Sequence, residues 1–379
     1  MYKKDPLIKL LHNSEYGMGK GTVDKVWYKF SIIDYNKPIV ITFAPYKPNS
    51  VLHSPEDIEK SDFEELFIWG FDFIKKEGFN VISFDTLKNG LWYRSEYLAD
   101  YLKNLSEEIY GFPLRLGYGG SMGGYGVSVF SNLLNLNRVL LLNPFSTLNR
   151  RLAPFETRFS DFLKNDNWES GFFDGGECNA KGYVIYDPLF HLDVKQANRY
   201  KNLEHLRLPG VGHSMPMHLQ RLGMLGWIAK SFLHENHIDK NRFYKEARRR
   251  RNYSEYYNWL LSKMNRHLTL KRKNIIIYYK YKFFIKEILK GSTPHQQDVL
   301  LRMCKNRKVE EMLVNTKNQN IFLFKFSKFL VNRGRYGLSI KILKHLIDQE
   351  YRIDKTTELL NTYREELRKK KERKEQILN

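Results

Sequence analysis

Residues 116 to 126 read LGYGGSMGGYG, six glycines around one serine. Gly119, Gly120, Ser121, Met122 and Gly123 spell G-x-S-x-G, the spacing of a nucleophilic serine on a sharp turn between a strand and a helix. The small neighbours have a physical task in such a turn, since a Cβ at Gly119 or Gly123 would hold apart backbone segments that must touch. The serine can then adopt an unfavourable φ/ψ that lifts its hydroxyl off the sheet. The competing account is a glycine loop that needs positive φ for packing alone. A serine hydroxyl is a weak nucleophile, so the chemistry also needs a base, and an acid that fixes the tautomer of that base. Asp187 in VIYDP stands just beyond an apolar strand pattern, and His213 in LPGVGHS stands on a glycine-rich loop after the next one. Asp193, six residues further on, is the rival acid, because Asp-Pro is also a common turn starter. His191, His205 and His218 are rival bases without the same strand-to-glycine-loop setting, and Glu204 falls at or inside the last strand pattern.

The elements that must position these residues follow from the apolar patterning. KVWYKFSIID (25–34), KPIVITFAPY (37–46), FNVISFD (79–85), LRLGYG (115–118 at its centre), RVLLLNP (138–144), GYVIYDP (182–188) and LEHLRLPG (203–210) predict strands, rich in β-branched and aromatic residues. SDFEELFIWGFDFIKKEG (61–78) and SEYLADYLKNLSEEIYG (95–111) predict helices with Ser at the start and Gly at the end, and further helices are expected after Ser121 and over 218–236. Strands alternating with helices imply an α/β fold, a mostly parallel sheet flanked by helices on both faces. Residues 145–181, aromatic and irregular, break the alternation and are expected to form an insertion or lid above the sheet.

The GGSMG turn and the chain order Ser121, Asp187, His213 resemble the α/β-hydrolase superfamily. That resemblance implies a serine nucleophile, a histidine base and an orienting acid. It implies an oxyanion hole made by the backbone N–H of Met122 and by an N–H from the loop ITFAPYKP, for which Ala44 is the candidate. Pro45 has no N–H, and the HGGG-type loop of many lipases and esterases is missing; the hydroxyls of Tyr46 and Tyr118 are candidate assistants. The implied reaction is attack on an acyl ester, a covalent acyl-serine, and transfer to water or to an alcohol. Some bacterial capsule O-acetyltransferases use the same fold, so the expectations are an esterase acting on an acylated carbohydrate or small ester, or an O-acetyltransferase with acetyl-CoA as donor and an acidic polysaccharide as acceptor. A binding or scaffold protein with a vestigial site is the alternative of another class. Hydrolysis requires no cofactor.

Charge divides the chain. Of its 379 residues, 63 are Lys or Arg and 42 Asp or Glu, and the formal excess of +21 falls wholly within 238–379. The expected division is a catalytic domain over 1–237 and a basic helical domain over 238–379, the latter with amphipathic patterns at 245–264, 296–315, 336–351 and 355–378. RRRR at 248–251, followed by Tyr253, Tyr256, Tyr257 and Trp259, is the most concentrated basic patch. Such a domain suits an acidic polymer or an anionic membrane surface, with nucleic acid a weaker candidate, and a solvated helical scaffold is the bland account. Only Cys178 and Cys304 are present, and no metal-ligand spacing such as HExxH occurs, so neither a disulfide framework nor a metal site is expected. The first twenty residues carry no continuous apolar run of signal-peptide type, and IIIYYKYKFFIKEIL is interrupted by Lys280, Lys282 and Lys286. A cytoplasmic location is expected, with peripheral attachment at the inner face of the membrane as a variant.

Overall fold

A computed structural model describes residues 4–46, 54–87, 92–159, 168, 171–235, 237–263, 268–290, 294–304, 307–314 and 319–378. The chain divides into two compact units, Met1–Arg250 and Arg251–Asn379. The first unit is built on one sheet of eight strands: β1 (Gly17–Val23), β2 (Val26–Ile32), β3 (Ile39–Phe43), β4 (Asn80–Thr86), β5 (Arg115–Gly120), β6 (Arg138–Leu142), β7 (Lys181–Tyr186) and β8 (Glu204–Arg207). Their order is β1-β2-β4-β3-β5-β6-β7-β8. The β1–β2 and β2–β4 pairs are antiparallel, and every other pair is parallel. The central strands β3 and β6 are buried along their whole length, which is why they are continuous apolar runs rather than alternating ones. β1, GMGKGTV, was not expected as a strand; it is a half-exposed edge with little apolar content to announce it.

Among the described residues of this unit the α-helices are α1 (Pro6–His12), α2 (Pro55–Lys60), α3 (Phe71–Lys76), α4 (Glu96–Glu108), α5 (Met122–Phe130), α6 (His191–Ala197), α7 (Met215–Arg221), α8 (Leu225–Lys230) and α9 (Lys240–Ala247). Only the last part of the helix expected over 61–78 exists, as α3. Gly70 before it holds φ 86°, and the buried Lys29 ammonium takes the carbonyls of Phe63 and Leu66 at 2.7 and 2.8 Å. A helix through 63–70 would have needed those carbonyls for its own ladder. The helix expected over 218–236 is likewise divided, into α7 and α8, by Gly223 at φ 71°.

The first unit also runs past the expected boundary near 237. Ile238 and Phe243 are fully buried, and α9 belongs to it. Arg250 is 7% exposed, and its guanidinium donates to the Pro209 carbonyl at 2.6 Å and to that of Ala247 at 2.5 Å. One member of the RRRR patch is thus a buried structural bond rather than free surface charge.

The described elements of the second unit are all helices: α10 (Ser254–Lys263), α11 (Leu270–Lys290), α12 (Pro294–Met303), α13 (Arg307–Val314), α14 (Asn320–Asn332), α15 (Tyr336–Asp348) and α16 (Ile353–Leu378). Leu300, Leu323, Leu330, Ile342, Leu343 and Leu346 form the centre of its own apolar core. Among the described residues no helix is long and apolar enough to cross a membrane.

Two close approaches set the geometry around α5. A Cβ at Gly119 would stand 2.5 Å from the Gly123 carbonyl oxygen, and one at Gly123 would stand 2.0 Å from that of Phe43. α5 therefore lies directly on the ends of β3 and β5, and only glycine permits it. Gly123→Ala is expected to cost about 3 kcal/mol or more through forced backbone displacement, read as a lowered thermal midpoint; an unchanged midpoint would show that the contact yields.

Candidate active site

Ser121 sits where β5 gives way to α5, with φ 53° and ψ −121°. A non-glycine residue rarely holds this region, and the surroundings over-determine it. The Ser121 N–H donates to Leu142 O at 2.9 Å, while its carbonyl accepts from Tyr125 N–H at 3.1 Å and Phe145 N–H at 3.4 Å. The Ser121 side chain makes no capping bond to α5. Its Oγ lies 2.9 Å from His213 Nε2.

His213 follows β8 on the loop 208–214. Its carbonyl accepts from Asn143 Nδ2 at 2.8 Å, and the Phe145 ring packs edge-on to the imidazole with centroids 5.2 Å apart. The other ring nitrogen, Nδ1, is 2.9 and 3.0 Å from the two carboxylate oxygens of Asp193. Ser121, His213 and Asp193 thus form one continuous relay. Asp193 is 1% exposed and occupies the first turn of α6, where the free helix amides favour a negative charge.

The acid expected at position 187 is elsewhere engaged. Asp187 is fully buried, and its carboxylate accepts the backbone N–H groups of Leu189, Gly210, Val211 and Gly212 at 2.6–3.0 Å. Burial raises its carboxyl above the usual range against the opposing pull of those amides. Asp187 therefore fastens the loop that carries His213, and Asp193 meets the imidazole. The Asp187–Leu189 bond is the Asx turn that an Asp-Pro start favours.

The oxyanion donors divide in the same way. The Met122 N–H opens α5 beside Ser121, uncapped by the serine. The Ala44 N–H is instead committed to Phe84 O at 2.8 Å, as the last bond between β3 and β4, so it is withdrawn from the expected role. Pro45 offers none, and the next amide along the chain is that of Tyr46. The Tyr46 ring packs edge-on to Phe159. Tyr118 points to the opposite face of β5 from Gly117 and Gly119; its ring lies 4.6 Å from that of Trp69, and burial pushes its hydroxyl pKa up. It is a packing residue beside a cavity of about 350 Å³ lined by Trp69, Phe73, Gln220 and Leu225. Residues 47 and 48 of the same loop lie outside the described residues.

The rival histidines are not brought to Ser121. His205 packs on Tyr186 and lies 3.2 Å from Tyr200 O, His191 is exposed, and His218 is in α7; Glu204 pairs with Lys240. Among the described residues no group of three or more His, Cys, Asp and Glu side chains is placed to hold a metal ion.

The segment between β6 and β7 brings residues to the site that the sequence did not announce. Residues 160–167, 169 and 170 lie outside the described residues, but Trp92, Phe145, Phe159 and Trp168 form an aromatic cluster with centroids 5.1–5.8 Å apart, continuous with the Phe145 face of His213. In the segment between β6 and β7, Arg158 Nη1 is 2.9 Å from Asp193 Oδ1 and 3.0 Å from His213 Nδ1. Its Nε and Nη2 bind the two oxygens of Glu156 at 2.8 and 2.7 Å. Burial alone would raise the Glu156 carboxyl, and the paired bonds to Arg158 outweigh it and hold it below the usual range. Burial likewise opposes the Arg158 charge, yet Glu156 and Asp193 together hold the guanidinium above its usual value.

No protein-family model matches the chain, and no curated protein matches it in sequence. Among solved structures, the capsule O-acetyltransferase of Neisseria meningitidis serogroup A is similar with a TM-score of 0.40 and 12% identity, over 58% of this chain and 95% of that one. Acetyl xylan esterase 1 from Thermoanaerobacterium is similar with a TM-score of 0.36 and 14% identity, over 54% of this chain and 78% of that one. Est1E from Butyrivibrio proteoclasticus gives 0.36 and 11%, over 57% and 99%.

The two carboxylates are separable by experiment. Asp193→Asn is expected to lower Ser121-dependent turnover of an activated ester by about a thousandfold or more, through loss of the correct imidazole tautomer. Asp187→Asn places an amide NH₂ against backbone donors and is expected to lower the thermal midpoint by several degrees. Wild-type turnover in Asp193→Asn would refute the assignment.

Proposed function

We propose that this chain is a serine-dependent acyl-ester hydrolase acting through an acyl-Ser121 intermediate, with an acylated carbohydrate or a small ester as substrate. The observation that carries the reading is the unbroken relay from Ser121 Oγ through His213 to Asp193, with 2.9 Å at each step. As Oγ bonds to the acyl carbon, its proton passes to His213 Nε2, and the positive charge formed on the imidazole faces the Asp193 carboxylate. The Met122 N–H donates to the oxyanion, with the Tyr46 amide as the next candidate donor. Collapse breaks the acyl carbon–oxygen bond, and Nε2 returns the proton to the departing alkoxide. Water then attacks the acyl carbon, giving its proton to Nε2; collapse breaks the acyl carbon–Oγ bond, Nε2 returns the proton to Oγ to restore Ser121, and the carboxylic acid is released.

A second reading, acyl transfer to a sugar hydroxyl with acetyl-CoA as donor, is favoured by the aromatic cluster that meets His213 through Phe145. An apolar wall there lowers the local supply of water and prolongs the life of an acyl-serine until an alcohol arrives. Under this reading the leaving group is the CoA thiolate, which takes the proton from Nε2. The excess positive charge in residues 238–379 suits an acidic polymer as the acceptor or as the carrier of the ester. An anionic membrane surface is the other partner that this charge fits.

The reading is tested by intact-protein mass spectrometry of wild type and Ser121→Ala after brief exposure to p-nitrophenyl acetate and, separately, acetyl-CoA. An acetyl adduct of 42 Da (C₂H₂O, on the order of 42 by composition) that needs Ser121 is expected, and its discharge by water or by an added polysaccharide separates hydrolase from transferase. Equal catalytic turnover by Ser121→Ala would refute it, while no adduct and no turnover above the uncatalysed rate in either protein would favour a binding protein. Added salt is expected to weaken turnover of an ester on an acidic polymer while sparing p-nitrophenyl acetate, because exposed charges are screened within about 10 Å at 0.1 M. Equal salt sensitivity of the two substrates would remove the recruiting role of the basic unit.

A further inference from the structure

Arg158 has two sets of partners that belong to different parts of the chain. One edge of its guanidinium, Nε and Nη2, is paired with Glu156. The remaining nitrogen, Nη1, donates to Asp193 Oδ1, the same oxygen that lies 2.9 Å from His213 Nδ1. Glu156 is itself 3% exposed and accepts from Gln196 Nε2 at 3.0 Å. Gln196 is one turn beyond Asp193 on α6, and its other amide atom accepts from the Ser146 N–H at 2.7 Å and Oγ at 2.6 Å. The Phe145 and Phe190 rings lie beneath the guanidinium, 4.3 and 5.4 Å from it. Residues 156–158 thus grip α6 at two successive turns, through Asp193 and through Gln196.

We infer that Arg158 is a positioning residue for the acyl-transfer reaction: it fixes the Asp193 carboxylate for His213. Three physical arguments converge. A carboxylate with two oxygens and a single imidazole partner is free to rotate, and a second, charge-assisted donor removes that freedom. A buried carboxylate needs a partner, and the Arg158 guanidinium supplies Asp193 Oδ1 with a charge-assisted donor at 2.9 Å. The same nitrogen stands 3.0 Å from Nδ1, so Arg158 and Asp193 meet the imidazole at one edge and fix the position of the carboxylate beside it. A Lys at 158 could not serve equally, since one ammonium lacks the fork that meets Glu156 and Asp193 together.

This inference rests on the proposed serine chemistry, so the experiment carries a separate control for it. Steady-state hydrolysis of p-nitrophenyl acetate is measured for the full-length wild type, Ser121→Ala, Arg158→Met, Arg158→Lys, Asp193→Asn and the Arg158→Met/Asp193→Asn pair, each checked for its fold by circular dichroism. Arg158→Met is expected to lower kcat by about 30-fold with KM within about twofold, and Arg158→Lys by about 5-fold. In the Asp193→Asn background, Arg158→Met is expected to change kcat by less than about twofold, because its effect passes through the carboxylate already removed. If Arg158→Met does not fold, Arg158→Lys alone and with Asp193→Asn supplies the same comparison. Wild-type kcat in the Arg158 variants, a loss confined to KM, or an equal factor lost in both backgrounds would each overturn the inference. Turnover by Ser121→Ala equal to wild type would instead remove the serine chemistry beneath it.

Discussion

The left-handed backbone at Ser121 is the constraint on which the site depends. A residue with a Cβ is held at φ 53° because its N–H and carbonyl are both fixed, by Leu142 on one side and by Tyr125 and Phe145 on the other. α5 can lie close enough to impose this only through the glycines at 119 and 123, each in contact with a carbonyl oxygen where a Cβ would collide. The hydroxyl emerges beyond the ends of the parallel strands, where His213 meets it. Strain stored in one residue is thus maintained by the packing of three elements.

From that point the site is assembled by loops fastened in turn. Asp187 gathers the amides of 210–212 and so fixes the approach of His213, and Asn143 holds the histidine carbonyl. α6 brings Asp193 to the imidazole, and the Glu156–Arg158 pair holds α6. The two buried carboxylates therefore have opposite tasks set by their partners. One faces only backbone donors and shapes a loop; the other faces an imidazole and a guanidinium, where charge can move.

Much of this was legible in the residues. The glycine pattern identified Ser121 because close approach leaves glycine as the only choice, and His213 stood out on a glycine loop after a strand. The central strands were legible because strands buried on both faces are uninterrupted apolar runs. The choice between Asp187 and Asp193 was not, since it depends on a tertiary contact. α6 spans only His191–Ala197, too short for periodicity to reveal, while the Asp-Pro step did carry the signal of a turn. Ala44 was misread because its N–H is taken up by the Phe84 carbonyl of β4, a tertiary partner that the sequence around it does not show. Lys29, fully buried within β2, is the reason that the amphipathic stretch after residue 61 is not one helix, and a lone lysine in a strand gives no warning of that. Glu156 and Arg158 lie in an irregular segment with no period to place them.

The most direct measurement is rapid-mixing release of p-nitrophenol from p-nitrophenyl acetate, with enzyme at a concentration that makes a single turnover visible. The account predicts an initial burst that scales with enzyme concentration in wild type and vanishes in Ser121→Ala and His213→Ala, since acyl-Ser121 forms before it is discharged. A burst of equal amplitude in Ser121→Ala would contradict it, because the acyl group would then reside on another residue.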